Sequence, residues 1–260
     1  FHGADGPIVM HRFKRDTWLP AQVAFHDACL AAGFPDCPDH NHPDSTGVGA
    51  TPLNNPNGIR MSTALGYLDQ TRHRLNLTIR ANCTVHRIVF EGNRAIGVDV
   101  ESGGEKFVID AGQIILSSGA IGLPQLLMLS GVGPKDHLSS LGIPVIKDAP
   151  GVGQNMRDHP QVSMLLQAKD GVQMDPDAPK RECLLHYTAT GSSVRNDMLI
   201  TPSSFATQMG GDPNESIGMS FSASLYKPAG TGEVRLASPD PHAQPYLDYQ
   251  YLEDPWDRQR

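Results

Sequence analysis

The sequence predicts a mixed α/β (α+β) fold, and three observations carry that reading. Asp110–Gly133, DAGQIILSSGAIGLPQLLMLSGVG, reads as a buried strand, a turn and a helix, because Ile114, Ile115 and Leu116 form a short apolar run that is β-branched at two of its three places. Short strand-like runs separated by glycine turns precede it. After Gln161 the chain changes to strand-like runs joined by polar, Pro- and Gly-rich loops, the pattern of an antiparallel sheet.

Taken in order, Phe1–Arg15 is turn-rich with a short apolar strand at Ile8–Met10. Thr17–Ala32 reads as a helix with Pro20 in its first turn and Gly33 ending it. Residues 34–60 are rich in Pro, Asp, Asn and Gly and sustain neither helical nor strand period, so they are expected to form a long loop, which at that length is either functional or hides an unrecognised element. His40, His42, Asp36, Asp39 and Asp44 lie in it. Their spacing matches no standard ligand set, and solvated or turn-bonded side chains are the simpler reading, so no metal site is assigned. Ser62–Arg72 reads as a helix with Ser62 as N-cap.

From Leu75 the period changes to two. Leu75, Leu77 and Ile79 alternate; Val85–Phe90, Ala95–Val100 and Phe107–Ile109 follow as strands with turns at Glu91-Gly92-Asn93 and Ser102-Gly103-Gly104, a small meander beside a parallel sheet. At the end of the run Ile114–Leu116 stand Ser117, Ser118, Gly119 and Ala120. Residues with almost no side chain let a flat ligand approach the main chain, and ligands of open α/β sheets sit at strand carboxyl ends. Pro124 suits the first turn of a helix continuing through Gln125–Leu129, which Ser130 and Gly131 stop. A short helix, Lys135–Leu141, and a strand, Ile143–Ile146, come next. Strands are then expected at Val162–Leu166, Asp197–Thr201, Ile217–Leu225 and Gly232–Ala237.

Composition narrows the function. At 260 residues the chain can bury a sizeable core, and 39% hydrophobic with 19% charged residues describes a globular protein. A formal charge of −7 with no basic cluster argues against a nucleic-acid surface, and no run of about eighteen apolar residues suggests a membrane span. Cys29, Cys37, Cys83 and Cys183 form no CxxC pair and read as free thiols. The sequons at Asn76, Asn82 and Asn214 are uninformative without a secretory signal. A chain opening on Phe1 suggests an excised or truncated piece that lacks whatever localisation signal the protein carries, so localisation is left unknown, with the cytoplasm favoured.

Several stretches together resemble one family. Gly119–Gly133 is similar to the second signature of the glucose-methanol-choline (GMC) flavoprotein oxidoreductases: Pro124, Ser130, Gly131, Val132, Gly133 and Pro134 fit, and Leu123, where the family usually has Ser or Thr, departs. Gly58, Arg60, Ser62 and Tyr67 resemble its G-x-R-x-S…YL pattern beside a loop at the substrate entrance. Residues 151–160, GVGQNMRDHP, resemble its G-V-G-x-N block, and SLYKPAGTGEVRLASPDPHAQP with YLDYQYLEDPWD its later sheet. The resemblance spans nearly the whole chain but only the family's middle.

It implies a partial FAD-binding, Rossmann-like portion and an antiparallel substrate-binding sheet. The expected division is 1–74, substrate-side loops and helices; 75–160, part of the FAD-binding domain; and 161–260, the substrate-binding sheet. It also implies that the backbone of Val85 meets the flavin's adenine, and that an adenosine lies on the bare main chain at Ser118, Gly119 and Ala120. The family's reaction passes hydride from an alcohol to the flavin N5 while a histidine takes the hydroxyl proton; that histidine's motif would lie beyond Arg260, so the catalytic residue is unknown. The GxGxxG that holds a dinucleotide pyrophosphate is not in these residues, since the Gly-x-Gly at 47, 131 and 151 lack the third glycine. The piece alone is therefore not expected to turn over. A pair at Asp158 and His159 invites an acid–base reading, but adjacent side chains in an extended segment point apart. With Asn155 they read instead as a hydrogen-bonded turn at the crossover between domains. A non-catalytic binding module and a hydroxynitrile lyase on the same fold stay open as alternatives.

Overall fold

The computed structural model describes residues 2–3, 5–172, 175, 177–206 and 218–260. In chain order its main elements are α1 (Pro20–Ala31), β1 (Gly47–Ala50), β2 (Thr84–Glu91), β3 (Arg94–Ser102), β4 (Glu105–Asp110), α2 (Gly119–Leu129), β5 (Val132–Gly133), α3 (Lys135–Ser140) and β6 (Lys147–Asp148). Then come β7 (Gln161–Gln167), β8 (Cys183–Tyr187), β9 (Met198–Ala206), β10 (Gly218–Leu225), β11 (Glu233–Arg235), β12 (Tyr246–Asp248) and α4 (Pro255–Gln259). They fall into two compact units, one of residues 1–77, 159–228 and 259–260, the other of 78–158 and 229–258.

The first unit is built on an antiparallel sheet in the order β1-β8-β9-β10-β7. Phe25 and Cys29 of α1 pack with Val48, Leu185 and Ile200 to form its core. Gln22, fully buried on α1, locks the helix to the sheet: its Nε2 donates to Ser204 Oγ at 2.8 Å and its Oε1 accepts from the amides of Glu182 and Cys183. Glu182, just before β8, returns the contact by accepting the Leu19 amide at 2.8 Å, so a residue from outside the helix serves an N-terminus whose own N-cap position carries an apolar side chain.

The expected loop at 34–60 contains an edge strand. Gly47 and Gly49 lack side chains because the chain at Pro35–Cys37 runs directly against them: an added Cβ would sit 2.0 Å from the Pro35 carbonyl oxygen and 1.8 Å from that of Cys37. Glycine content that reads as loop thus serves a close backbone crossing, sealed by hydrogen bonds from Val48 to Pro35 and from Cys37 to Val48. The helix expected at Ser62–Arg72 widens to a π-type turn at Ala64–Leu68, with Ser62 Oγ still accepting the Leu65 amide at 3.3 Å.

The second unit holds the expected meander, β2-β3-β4, and α2 lies against β2. Ser130 joins them. Its hydroxyl donates to Leu126 O at 2.6 Å and accepts the Ile88 amide at 2.8 Å, closing the helix end and satisfying an edge-strand donor together. Met128, Leu138 and Leu236 centre a separate core.

Five expectations need correction. Ile8–Met10 and Leu75–Ile79 are not strands; their alternation has no partner strand among the described residues, and Leu75 is wholly exposed. Ile114–Leu116 is likewise unpaired, with Ile115 81% exposed, because apolar β-branched residues specify a strand only where a neighbouring strand takes their backbone groups. Ile143–Ile146 is not a strand either: the two-residue β6, paired in parallel with β5, begins only after it, at Lys147. Finally, α2 begins at Gly119, a turn before Pro124, which therefore sits inside the helix and leaves one carbonyl without its usual donor. The strands at Val162–Leu166, Asp197–Thr201 and Gly232–Ala237 are present with shifted ends; β8 was unforeseen. Ile217 and the sequon at Asn214 lie outside the described residues.

Candidate functional site

Where the meander meets α2, the second unit encloses a cavity of about 610 Å³. Thr84 and Val85 of β2, Val98 of β3, the unpaired strip Gln113–Ser118, and Gly122 and Gln125 of α2 line it, with Pro241 closing one side. Two physical features make it a place for a flat, polar-edged ligand. β2 is the outer strand of its sheet and so presents main-chain donors and acceptors on its free side. Facing it, residues 113–117 belong to no strand among the described residues, so a second length of backbone is open as well.

The sequence-derived site residues divide over two places. Val85, 39% exposed, and Ser118 line this cavity together. Gly119 stands beside it with φ +80°, at the first position of α2, and a Cβ there would meet nothing within 4 Å; glycine is required by the backbone turn and not by crowding. Ala120 faces another cavity, of about 450 Å³, with Leu123, Pro124, Leu127 and the segment Val152–Arg157. The loop bearing Pro241 was not foreseen as a wall. It is held by Gln125 Nε2, which donates to the Ala243 carbonyl at 2.9 Å, a long-range contact that no local pattern announces.

In GVGQNMRDHP, Asn155 adopts a left-handed conformation (φ 60°), as a turn residue would. Asp158 accepts a hydrogen bond from Tyr251 Oη at 2.9 Å; burial first, then this carboxylate, push the Tyr251 phenol up to about 12. His159 stacks on Tyr226, ring centroids 4.5 Å apart.

The first unit contains a ladder of rings that the sequence did not suggest: His40 against His186 at 5.3 Å, His186 against Tyr226 at 5.2 Å, and Tyr226 against His159. Burial, assisted by the neighbouring His40 and Lys227, lowers His186 to about 4, and burial lowers His40, so both imidazoles are neutral near pH 7. The same unit has an apolar cavity of about 440 Å³ beside the N-terminus of α1, walled by Leu19, Leu166, Phe205 and Met219. All four cysteines are free; Cys29, Cys37 and Cys183 are buried, and burial pushes the Cys183 thiol up to about 12. Among the described residues no helix is long and apolar enough to cross a membrane.

Known proteins supply the context for this geometry. Residues 8–161 match the model of the GMC oxidoreductase family. A GMC-type oxidoreductase of Rhodococcus erythropolis is 40% identical over 260 residues, covering 99% of this chain and 51% of the relative. An oxygen-dependent choline dehydrogenase of Burkholderia pseudomallei is 34% identical over 285 residues, 99% of this chain and 50% of that protein. Among solved structures, pyridoxine 4-oxidase from Mesorbium loti superposes with a TM-score of 0.84 at 27% identity, over 99% of this chain and 52% of that one. The chain thus spans about half the length of the curated relatives it matches. With the family model covering more than half of its residues and relatives above 30% identity aligned along nearly all of it, the chain belongs to the GMC oxidoreductase family.

Proposed function

We propose that the chain is the central part of an FAD-dependent oxidoreductase acting on the CH–OH group of an alcohol. The observation that carries this is the cavity between the edge strand at Val85 and the bare strip ending at Ser118, which fits the adenine end of a dinucleotide. Residues 113–118 leave room for a planar ring, and an edge strand offers its N–H and C=O to the ring's edge. FAD, when bound, supplies the hydride acceptor.

In this reading the main chain of Val85 holds adenine, the Ser118 hydroxyl donates or accepts at its rim, and Gly119 and Ala120 carry the chain past the nucleotide into α2, Gly119 by its backbone turn and Ala120 from the side of the neighbouring cavity. Residues 75–160 are then part of the flavin side, joined by 229–258, which supply Pro241, and 1–74 with the rest of 161–260 are the substrate side. None of the eleven histidines is assigned as the base. Because no GxGxxG is present, the 260 residues alone should hold flavin weakly and should not turn over. The names of the relatives, choline dehydrogenase and pyridoxine 4-oxidase, give two alcohols to test first.

The experiment is spectroscopic. The longer protein carrying this chain is purified, reconstituted with FAD, and mixed anaerobically with choline or pyridoxine. A yellow protein whose flavin bleaches supports an alcohol oxidoreductase. Flavin that binds but survives a panel of alcohols points to lyase-type chemistry, and a protein that takes up no flavin after reconstitution overturns the proposal in favour of a binding module.

A further inference from the structure

Three side chains that the flavin reading does not use converge on one face of the meander. His86 is on β2, Glu101 on β3 and His242 on the loop between β11 and β12, and one ligand atom from each lies within 4.8 Å of the others. His86 Nε2 is 3.4 Å and His242 Nε2 is 3.7 Å from the same carboxylate oxygen, Glu101 Oε2. The two imidazoles meet edge to face, with ring centroids 5.2 Å apart.

The distances suit a metal better than they suit hydrogen bonds. Around a tetrahedral ion with bonds of about 2.0–2.2 Å, neighbouring ligand atoms sit roughly 3.3–3.6 Å apart, close to both His–Glu separations. A second, independent observation concerns His86: its side chain is only 8% exposed, yet Nε2 is buried with no hydrogen-bond partner, although Glu101 is within ion-pair reach. An orphaned imidazole nitrogen aimed at a carboxylate and a second imidazole is poised to donate a lone pair.

Local structure explains how the three meet. The β2–β3 register slips between Val85 and Arg87, so His86 occupies the bulge and is turned toward Glu101 across the ladder, where Thr84 is the direct partner. The loop carrying His242 is held by two internal hydrogen bonds, from the His242 amide to Asp240 Oδ1 and from the Ala243 amide to Asp240 O. Gln125 anchors its Ala243 carbonyl. The third neighbour is Lys106, whose Nζ lies 3.7 Å from Glu101 Oε2; it is 65% exposed and free to swing out into water.

We propose that His86, Glu101 and His242 bind a divalent transition-metal ion, Zn²⁺ by preference, with the fourth coordination position open to water. Two imidazoles and a carboxylate are a ligand set suited to such ions, and no hard all-oxygen cage is present to favour Ca²⁺ or Mg²⁺. The ion clasps the loop at Pro241, a wall of the Val85–Ser118 cavity, to the strands behind it. The site stands on these residues alone and does not depend on flavin binding.

The test is calorimetric titration of the chelator-treated full chain with ZnCl₂ alone, with Co²⁺ as the spectroscopic substitute. Expected are one ion per chain and the visible absorption of low-coordinate Co²⁺. His242→Asn, at a half-exposed loop position that leaves the fold intact, should weaken Zn²⁺ by at least about 100-fold, since even supporting residues around a metal contribute about 10–100-fold. Glu101→Gln should do the same, and Lys106→Gln should leave binding equal or tighter. Absence of stoichiometric binding, or binding that neither His242→Asn nor Glu101→Gln weakens, overturns the site. Either result leaves the flavin assignment untouched.

Discussion

Asp197 accepts a hydrogen bond of 2.6 Å from Arg260, and the two side chains are 0% and 1% exposed. Ser192 Oγ and the Ala189 amide donate to the same carboxylate. Burial on its own would raise the carboxyl, but these donors and the guanidinium outweigh it and hold Asp197 below the ordinary carboxylate range.

Asp197→Asn should therefore cost about 3–5 kcal/mol, because it strands a buried guanidinium. A depressed carboxyl stabilises above its unfolded pKa, about 3.9, and that contribution disappears as pH falls through the lower folded value. Urea unfolding from pH 7 down to pH 3 should show the difference between parent and variant shrinking only at the acid end.

His186 has the opposite charge logic and a different window. Its folded value of about 4 lies below the ordinary 6.5, so the unfolded chain takes up the proton first and stability drops as pH falls from 6.5 towards 4. The loss should be on the order of 2 kcal/mol after allowance for partial solvent access. His186→Phe keeps a ring between His40 and Tyr226 and should flatten that part of the stability profile; an unchanged profile would refute the assignment.

At the backbone crossing, Gly49→Ala would drive a methyl group into the Cys37 carbonyl. A loss above about 3 kcal/mol is expected in denaturant unfolding, as for severe overpacking. Gly112→Ala, where a Cβ meets nothing within 4 Å, is the control and should change stability by less than about 0.5 kcal/mol.

Ser130→Ala leaves the Ile88 amide buried without an acceptor. The expected cost is about 1–3 kcal/mol, accompanied by faster hydrogen exchange at that amide. If Ile88 exchange is unaltered, the hydroxyl is not what holds β2 to α2.

Ser118→Phe places a ring where the nucleotide reading puts adenosine. Ser118 is exposed, so thermal stability should move by less than about 0.5 kcal/mol. Flavin retained through purification of the longer protein should fall at least about tenfold, read by fluorescence of the released cofactor, a discrimination of about 1.4 kcal/mol.

Legibility followed the range of the forces involved. α1, the meander and α3 were readable because their signals are local: Pro20 and Gly33 bracket one helix, and Gly92 and Gly103 turn the strands. β1 was misread because its glycines answer to Pro35 and Cys37, a contact made only in three dimensions. Ile114–Leu116 carries strand chemistry without a strand beside it, so propensity and structure part company there. Val85 and Ser118 were candidates from strand-end chemistry and resemblance, and both line one cavity, whereas nothing in the sequence pointed to Pro241 beside them or to the grouping of His86, Glu101 and His242. Their members come from three separate stretches, and neither spacing nor period links them.

The pairing of β1 with β8 has a consequence for how the molecule is made. Val48 finds Pro35 and Cys37 early, but the edge of β1 that pairs with β8 waits for Leu185 to leave the ribosome, and β7 must wait for β10. At roughly 5–20 residues per second that is a delay of several seconds or more with an apolar, glycine-rich edge uncovered. The intervening residues 78–158 emerge meanwhile and carry most of the other unit, which finishes only when 229–258 arrive. Nascent chains arrested before residue 183 should accordingly be the ones that recruit holdase chaperones, and release of the chaperone should coincide with synthesis of the later strands.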